Sequence, residues 1–468
     1  MSMADSALGS RRRGQRIAAA GEWLRRHRRA VLAVQWGVVG IYAFLLIVPA
    51  MLPLPGPVAH IWDNLTIFAQ FVFWGIWWPG VLLSMLVFGR LWCGVFCPEG
   101  ALSEFASNKG RGGAIPRWIR WPGWPFTAFV LTTVYGQMVS VYQYPHPVLI
   151  VLGGSTLAAM IVGYFYGRGK RVWCRYLCPV SGVFGLLAKL APVHFAVDRQ
   201  RWDRCPSTVM RGQSLDCAPL VAVRTMTSAS PCHMCGRCSG FRNAVELHAR
   251  HPNSEIVDVS GRTATLWDSL LILVGLLGVA IGAFQWASSP WLVAAKQWLA
   301  LKLIEGDILW PLEATLPWWV LTNYPGQNDV LSILDGVLLL GYIGAAAMLL
   351  PLAAAAGLAL AVRSCGSWQW QRFHHFAHAL IPFAACGVIL GLSAQTVTLL
   401  AADGIMLGWV PAARAMALAA SAGWSLWLAW RIARGYGAGF LRAAAAAGFA
   451  AAALAAPAMA WVLLFWIW

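Results

Sequence analysis

Apolar runs of about twenty residues, many of them bounded by arginines, recur from end to end of this 468-residue chain. A helix of that length and character matches the hydrocarbon core of a bilayer. The overall balance agrees: 59% of the residues are hydrophobic and 11% charged, against about 25% charged in a soluble domain. That excludes a soluble enzyme and a disordered scaffold. The expected fold class is an all-α integral membrane protein.

Nine spans are expected, at about 30–52, 66–89, 123–141, 147–167, 266–288, 331–362, 373–395, 410–430 and 443–466. The run at 331–362 is longer than one crossing needs and contains Pro351, where it is expected to tilt or break. A formal net charge of +17 could suggest nucleic-acid binding, but its distribution argues otherwise. The segments on one side hold 32 of the 35 Lys and Arg; the other side has Lys296, Lys302 and Arg414. Positive charge resists translocation, so the basic side is read as cytoplasmic. The expectation is a multi-pass protein of the bacterial inner membrane, N-terminus inside, in contact with lipid and without a nucleic-acid partner. The basic stretch before the first run is read as flanking a retained anchor, because Leu52-Pro53-Leu54-Pro55 lacks a small-x-small cleavage site.

An internal repeat organises the first part. Arg90-Leu91-Trp92-Cys93-Gly94-Val95-Phe96-Cys97-Pro98 recurs 81 residues later as Arg171-Val172-Trp173-Cys174-Arg175-Tyr176-Leu177-Cys178-Pro179. Each copy follows a pair of spans, so both point to the same face. The chain then divides into a basic N-terminus (1–29), two copies of paired spans ending in C-x3-C-P (30–190), a cysteine-rich segment (191–265) and C-terminal spans (266–468). The last part includes an outer loop at 289–330, in which 291–305 reads as an amphipathic helix on the membrane surface.

Nine of the eleven cysteines lie between 93 and 238, all on the inner side by the charge distribution. Cytosolic thiols stay reduced, so metal binding or redox work is expected there rather than a disulfide framework. Cys232-His233-Met234-Cys235-Gly236-Arg237-Cys238 is a C-x2-C-x2-C loop. Such a loop presents three thiolates to three corners of a [4Fe–4S] cubane, whereas zinc sites more often use two separated C-x2-C knuckles. A ferredoxin's fourth cysteine and proline are replaced here by Arg242 and Asn243. Cys217 is preferred as fourth ligand over Cys205, which precedes Pro206 and resembles the turn after a ferredoxin's last cysteine. The repeated motifs add Cys93, Cys97, Cys174 and Cys178, enough for one shared cluster or for a soft metal such as Cu(I). Arg90 and Arg171 would offset the thiolate charge.

Paired C-x3-C-P motifs after membrane helices, followed by a ferredoxin-like loop, resemble the NapH/NosR/CcoG group of membrane polyferredoxin-like proteins over about residues 30–250. The resemblance implies a small cytoplasmic ferredoxin-like domain, one or two [4Fe–4S] clusters and electron transfer. It also implies a redox partner protein, or an assembly role for a metalloenzyme. By position, Cys93, Cys97, Cys174 and Cys178 match the family's paired motifs, and Cys232, Cys235 and Cys238 match its ferredoxin loop.

His374, His375 and His378 open the seventh expected span. They are candidates for haem b, quinone or copper contact, beside the plainer reading of a hydrogen-bonded cluster that anchors the helix. Three functions compete. The first is electron transfer at or across the membrane, which needs a bridge because the apolar core is ~30 Å thick. The second is copper handling or cupric reduction by the paired thiolates. The third, transport, lacks a repeated broken-helix pair in the second half.

Overall fold

The computed structural model describes residues 3–56, 58–205 and 214–468. Helices dominate; the named strands form two antiparallel hairpins, Val193–Val197 with Val245–Ala249 and Asn323–Tyr324 with Asp329–Val330. Seven helices among the described residues are long and apolar enough to cross a membrane: Arg28–Met51, Leu65–Phe88, Pro145–Tyr166, Leu266–Ser288, Ile333–Ser364, Ile381–Ala402 and Phe440–Ile467. They carry large apolar side chains on their outer faces, among them Ile41, Phe44, Leu157, Met348 and Leu352. Such surfaces are at home in lipid, and the protein is a multi-pass membrane protein.

The two other expected spans form helices of a different kind. Trp124–Met138 has 15 residues, and Val410–Gly435 has 26 but carries Arg414, Arg431 and Arg434. Pro351 does not break its helix, which runs unbroken from Ile333 to Ser364. Neighbouring helices make such prolines tolerable in a membrane. The span expected at 373–395 starts later: Trp370–Ala379 is a separate helix, and Ile381–Ala402 begins afresh with Pro382 in its first turn. A proline there has no N–H to lose and favours a new start. The helix expected at 291–305 is present as Pro290–Glu305, with none of its residues buried.

Contacts divide the chain into two compact units. The first gathers Met1–Leu45, Gly80–Pro125 and Gly154–Val259. One part of it is built on the hairpin Val193–Val197/Val245–Ala249, where Phe195 lies opposite Leu247. Phe195, Trp202, Val223, Met234, Val245 and Leu247 make its core. The helix Met3–Arg26 packs on this hairpin through Gly21, where a side chain would meet Leu247 and Phe195.

The second unit gathers Leu46–Pro79, Phe126–Gly153 and Ser260–Trp468. Leu266–Ser288 is its enclosed helix: 72% of its apolar window is buried, against 22–33% for the other spans. Small residues let its neighbours approach closely. A Cβ on Gly278 would lie 2.9 Å from Ala347 Cα, and one on Gly357 would lie 2.7 Å from Ala453 N. Helices in lipid associate by this kind of close packing.

Candidate metal centres

The two repeat copies fold alike at their cysteines. In each, the second cysteine's amide donates to the tryptophan carbonyl five residues back: Cys97 to Trp92 at 2.9 Å and Cys178 to Trp173 at 3.0 Å. Cys97 then turns extended and caps the helix Pro98–Asn108, with Gly100 N 3.4 Å from its Sγ and Pro98 at the first helical position. After Cys178 the chain re-enters a helix at Ser181–Ala188. Cys93, Cys174 and Cys178 are buried and Cys97 nearly so. The four form one group, close enough that a charge on Cys93, Cys97 or Cys174 would act on Cys178, and one on Cys93 or Cys174 on Cys97.

The C-x2-C-x2-C loop is pinned by its non-cysteine residues. Met234 has φ +54° and drops its side chain into the hairpin core. Gly236 has φ +74°, and a side chain there would also strike Leu24. Cys217, Cys232, Cys235 and Cys238 line one small cavity, together with Phe195, Asp216 and Val223. Cys205 closes the helix Arg199–Arg204 and is not in that lining; Pro206 lies outside the described residues. Two four-cysteine groups therefore occupy the first unit.

Burial governs the thiols. It pushes Cys174 and Cys232 up to about 12, and raises Cys97, Cys178, Cys217 and Cys238 as well. Bare thiols of this kind stay protonated at neutral pH, and only a bound metal would hold them as thiolates. The surroundings suit such charge. Arg90 and Arg171 are 5% and 1% exposed, yet among the described residues Arg90 Nε and one Arg171 Nη have no hydrogen-bond partner. Buried donors left open beside thiols fit an anionic cluster. Among the described residues, no three His, Cys, Asp or Glu side chains close in tightly enough for a single metal ion. Cubane thiolates each bind their own iron, so they stand wider apart than the ligands of one zinc.

Sequence reasoning missed the acids. Glu104 accepts from Arg171 Nε at 2.8 Å and from Arg237 Nη2. Burial pushes its carboxyl up, but Arg171 and Arg237 outweigh that and hold it below the usual range. Glu99 accepts from Ser155 and from Trp173 Nε1, with burial pushing it up. One signal was available: Glu99 and Glu104 are the only acids between Asp63 and Asp198. His233 is buried between Cys232 and Met234, and burial, then Arg90 and Arg171, keep it neutral.

The candidate histidines lie in the second unit, on Trp370–Ala379, with separate protein partners. His374 Nδ1 is 2.8 Å from Ser269 Oγ, His375 Nδ1 is 2.9 Å from Tyr436 Oη, and His378 Nε2 is 3.7 Å from Asp268. Among the described residues, the three rings do not form a group that could hold a metal ion.

The class of protein follows from matches to known sequences. A family model described as a 4Fe-4S binding domain matches residues 70–122 and 149–197, one stretch for each repeat copy. The chain is also similar to individual proteins. It is 24% identical to the "Putative electron transport protein YccM" of Escherichia coli over 233 residues, 44% of this chain and 63% of that protein. It is 26% identical to the E. coli "Ferredoxin-type protein NapH" over 182 residues, 34% and 60% of the two chains. With the "Regulatory protein NosR" of Pseudomonas aeruginosa it shares 26% over 136 residues, 24% of this chain and 19% of that one. The chain thus spans less than two thirds of each relative. No solved structure matches it. The resemblance to membrane polyferredoxin-type proteins, read first from the paired motifs, stands on these matches.

Proposed function

We propose that this protein carries electrons through iron–sulfur clusters at the bacterial inner membrane and supports the reduction or maturation of a metalloenzyme through a redox partner. The observation that carries the reading is the pairing of two four-cysteine groups in one unit. Cys93, Cys97, Cys174 and Cys178 would hold one cluster, and Cys217, Cys232, Cys235 and Cys238 a second. The clusters would supply one-electron chemistry without proton transfer. The polypeptide's part is to exclude water, keep the thiols in two groups and set buried charge around them.

Topology completes the proposal. The chain crosses nine times, with the N-terminus and both cysteine groups cytoplasmic. Chain connectivity supports the third crossing: both motifs belong to one unit, so an even number of spans must separate them. Pro145–Tyr166 is one, and Trp124–Met138 would be the other. Fifteen helical residues rise only about 22 Å, so the turns that follow at 139–144 would complete the passage. The 32-to-3 division of basic residues sets the orientation.

Anaerobic metal and sulfide analysis of the full-length protein, with EPR of the reduced state, tests the reading. Iron with matching acid-labile sulfide is expected; copper without sulfide would overturn it. Cys217→Ala should convert one signal to a three-iron type, while Cys205→Ala leaves it unchanged. Cys93→Ala and Cys174→Ala should each remove the same complement of iron, and the double variant no more.

A further inference from the structure

The repeat-related arginines cross over in their hydrogen bonds. Arg90, from the first copy, donates to Ser181 Oγ at 3.0 Å, and Ser181 Oγ donates to the Cys174 carbonyl at 3.0 Å. Arg171, from the second copy, donates to the Cys93 carbonyl. Each guanidinium therefore holds the backbone at the other copy's first cysteine. Each is also tied to the ferredoxin-like loop. Arg90 Nη1 donates to Ser230 O at 2.9 Å, two residues before Cys232. Arg171 reaches the loop through Glu104, which accepts from it and from Arg237, between Cys235 and Cys238.

A backbone contact joins the same places. A Cβ on Gly94 would lie 2.2 Å from His233 O and 2.8 Å from Cys235 N. Only glycine lets the chain beside Cys93 lie directly on Cys235. The buried Gln35 secures that peptide, donating to Gly94 O at 2.8 Å. The second copy has Arg175 at the matching position, so the repeat gives up its likeness where one copy must meet the loop.

We propose that Arg90 and Arg171 are positioning residues that couple the two four-cysteine groups into one redox unit, so that charge placed at either group is felt at both. This rests on the iron–sulfur reading. The Arg90 charge bears on Cys174 and on Cys232, and the Arg171 charge on Cys174 and on Cys235. A buried guanidinium in a low-dielectric interior acts strongly on every anion near it. Nearby charge and hydrogen bonds set the potential of an iron–sulfur site. Two such cations shared between two sites leave neither potential independent.

Potentiometric EPR titration of the full-length protein tests this. Arg171→Gln removes a shared cation and should move both midpoint potentials to more negative values, with Arg171→Lys restoring most of the shift. Glu104→Gln removes a shared anion and should move both the other way, which keeps the test open if Arg171→Gln does not fold. Arg199→Gln, at the exposed start of its helix, should move neither. A shift confined to one signal in the Arg171 and Glu104 variants overturns the coupling while leaving the iron–sulfur reading intact. Native protein without iron and sulfide would defeat that reading, and the coupling with it.

Discussion

The two compact units hold their interiors together by opposite means. The cysteine-bearing unit buries Arg90, Glu104, Arg171, Lys189 and Glu255. The other draws its helices together on glycine and alanine, with Gly278 against Ala347 and Gly357 against Ala453. Its buried polar groups there are mostly serine, glutamine and histidine side chains, such as Gln285, which donates to Ala460 O. Small-residue contact is the economical way to associate helices where lipid removes the hydrophobic difference. Buried charge is costly and tends to mark function. The contrast fits the proposed placement of the chemistry in the first unit without reference to the cysteines.

The largest expected effect breaks a charged interior. Glu255 is 1% exposed and is met by Lys189 at 3.7 Å, by Arg250, by Ser228 Oγ and by the Ala229 amide at 3.0 Å. Glu255→Ala leaves two cations facing an apolar gap and should cost roughly 3–5 kcal/mol. Hydrogen exchange should show the hairpin Val193–Val197/Val245–Ala249 opening first. A loss below about 1 kcal/mol, the range of exposed pairs, would show that the first unit does not depend on buried charge.

The same corner predicts how the unit responds to acid. Burial, then Arg250, lowers His194 to about 4, so the folded state resists its protonation. The unfolded chain binds that proton near pH 6.5, and stability therefore falls as pH drops from about 6.5 towards 4. Glu255 adds a second loss lower down. Burial raises its carboxyl, but Lys189 and Arg250 hold it below 4.5 on balance. Its contribution is present above that value and lost as pH falls through the folded pKa. Denaturant titrations of the native protein and of His194→Gln should differ in the upper window and agree above pH 7. Equal slopes in the two proteins would remove His194 from the account.

The second unit offers the matching test of packing. Gly357→Leu would drive a side chain into the backbone of Phe449 and Ala453. Overpacking of this kind costs roughly 1–3 kcal/mol, read as a lower unfolding midpoint in detergent. Cluster content should be unchanged, since every proposed ligand belongs to the other unit. Iron lost along with stability would mean that the units are less separate than their interiors suggest.

Much of this was legible in the sequence, and the rest was hidden for identifiable reasons. Long apolar runs gave seven crossing helices, because length and hydropathy are what a bilayer demands. The repeat led to Cys93, Cys97, Cys174 and Cys178 as a group, and to Arg90 and Arg171 as their counter-charges. It could not reveal that the arginines cross over, because identical motifs do not say which copy each serves. The break after Ala379 was masked by apolar residues on both sides, although Pro382 marked it. Pro351 looked like a break and was none, because Gly278 on the neighbouring helix leaves room for its ring. Proline signals a change in local bonding, and only the neighbour decides whether the helix survives it.

The smallest expected effect concerns the histidines, where the comparison between units becomes sharpest. A cofactor site in the second unit would make its polar groups functional rather than merely satisfied. His375 gives a clean test, because its ring nitrogen meets Tyr436 Oη at 2.9 Å and Arg372 lies over the Tyr436 ring at 4.9 Å. His375→Phe keeps the ring volume and removes the hydrogen bond to Tyr436, which costs about 1 kcal/mol. Gly261 packs close to the His375 ring, so a planar replacement is better borne there than a branched one. The expected result is a small drop in unfolding midpoint, with iron, sulfide and visible spectrum unchanged. A lost absorption band or a changed metal complement would mean that the helix Trp370–Ala379 holds a redox group, and that the second unit shares in the chemistry of the first.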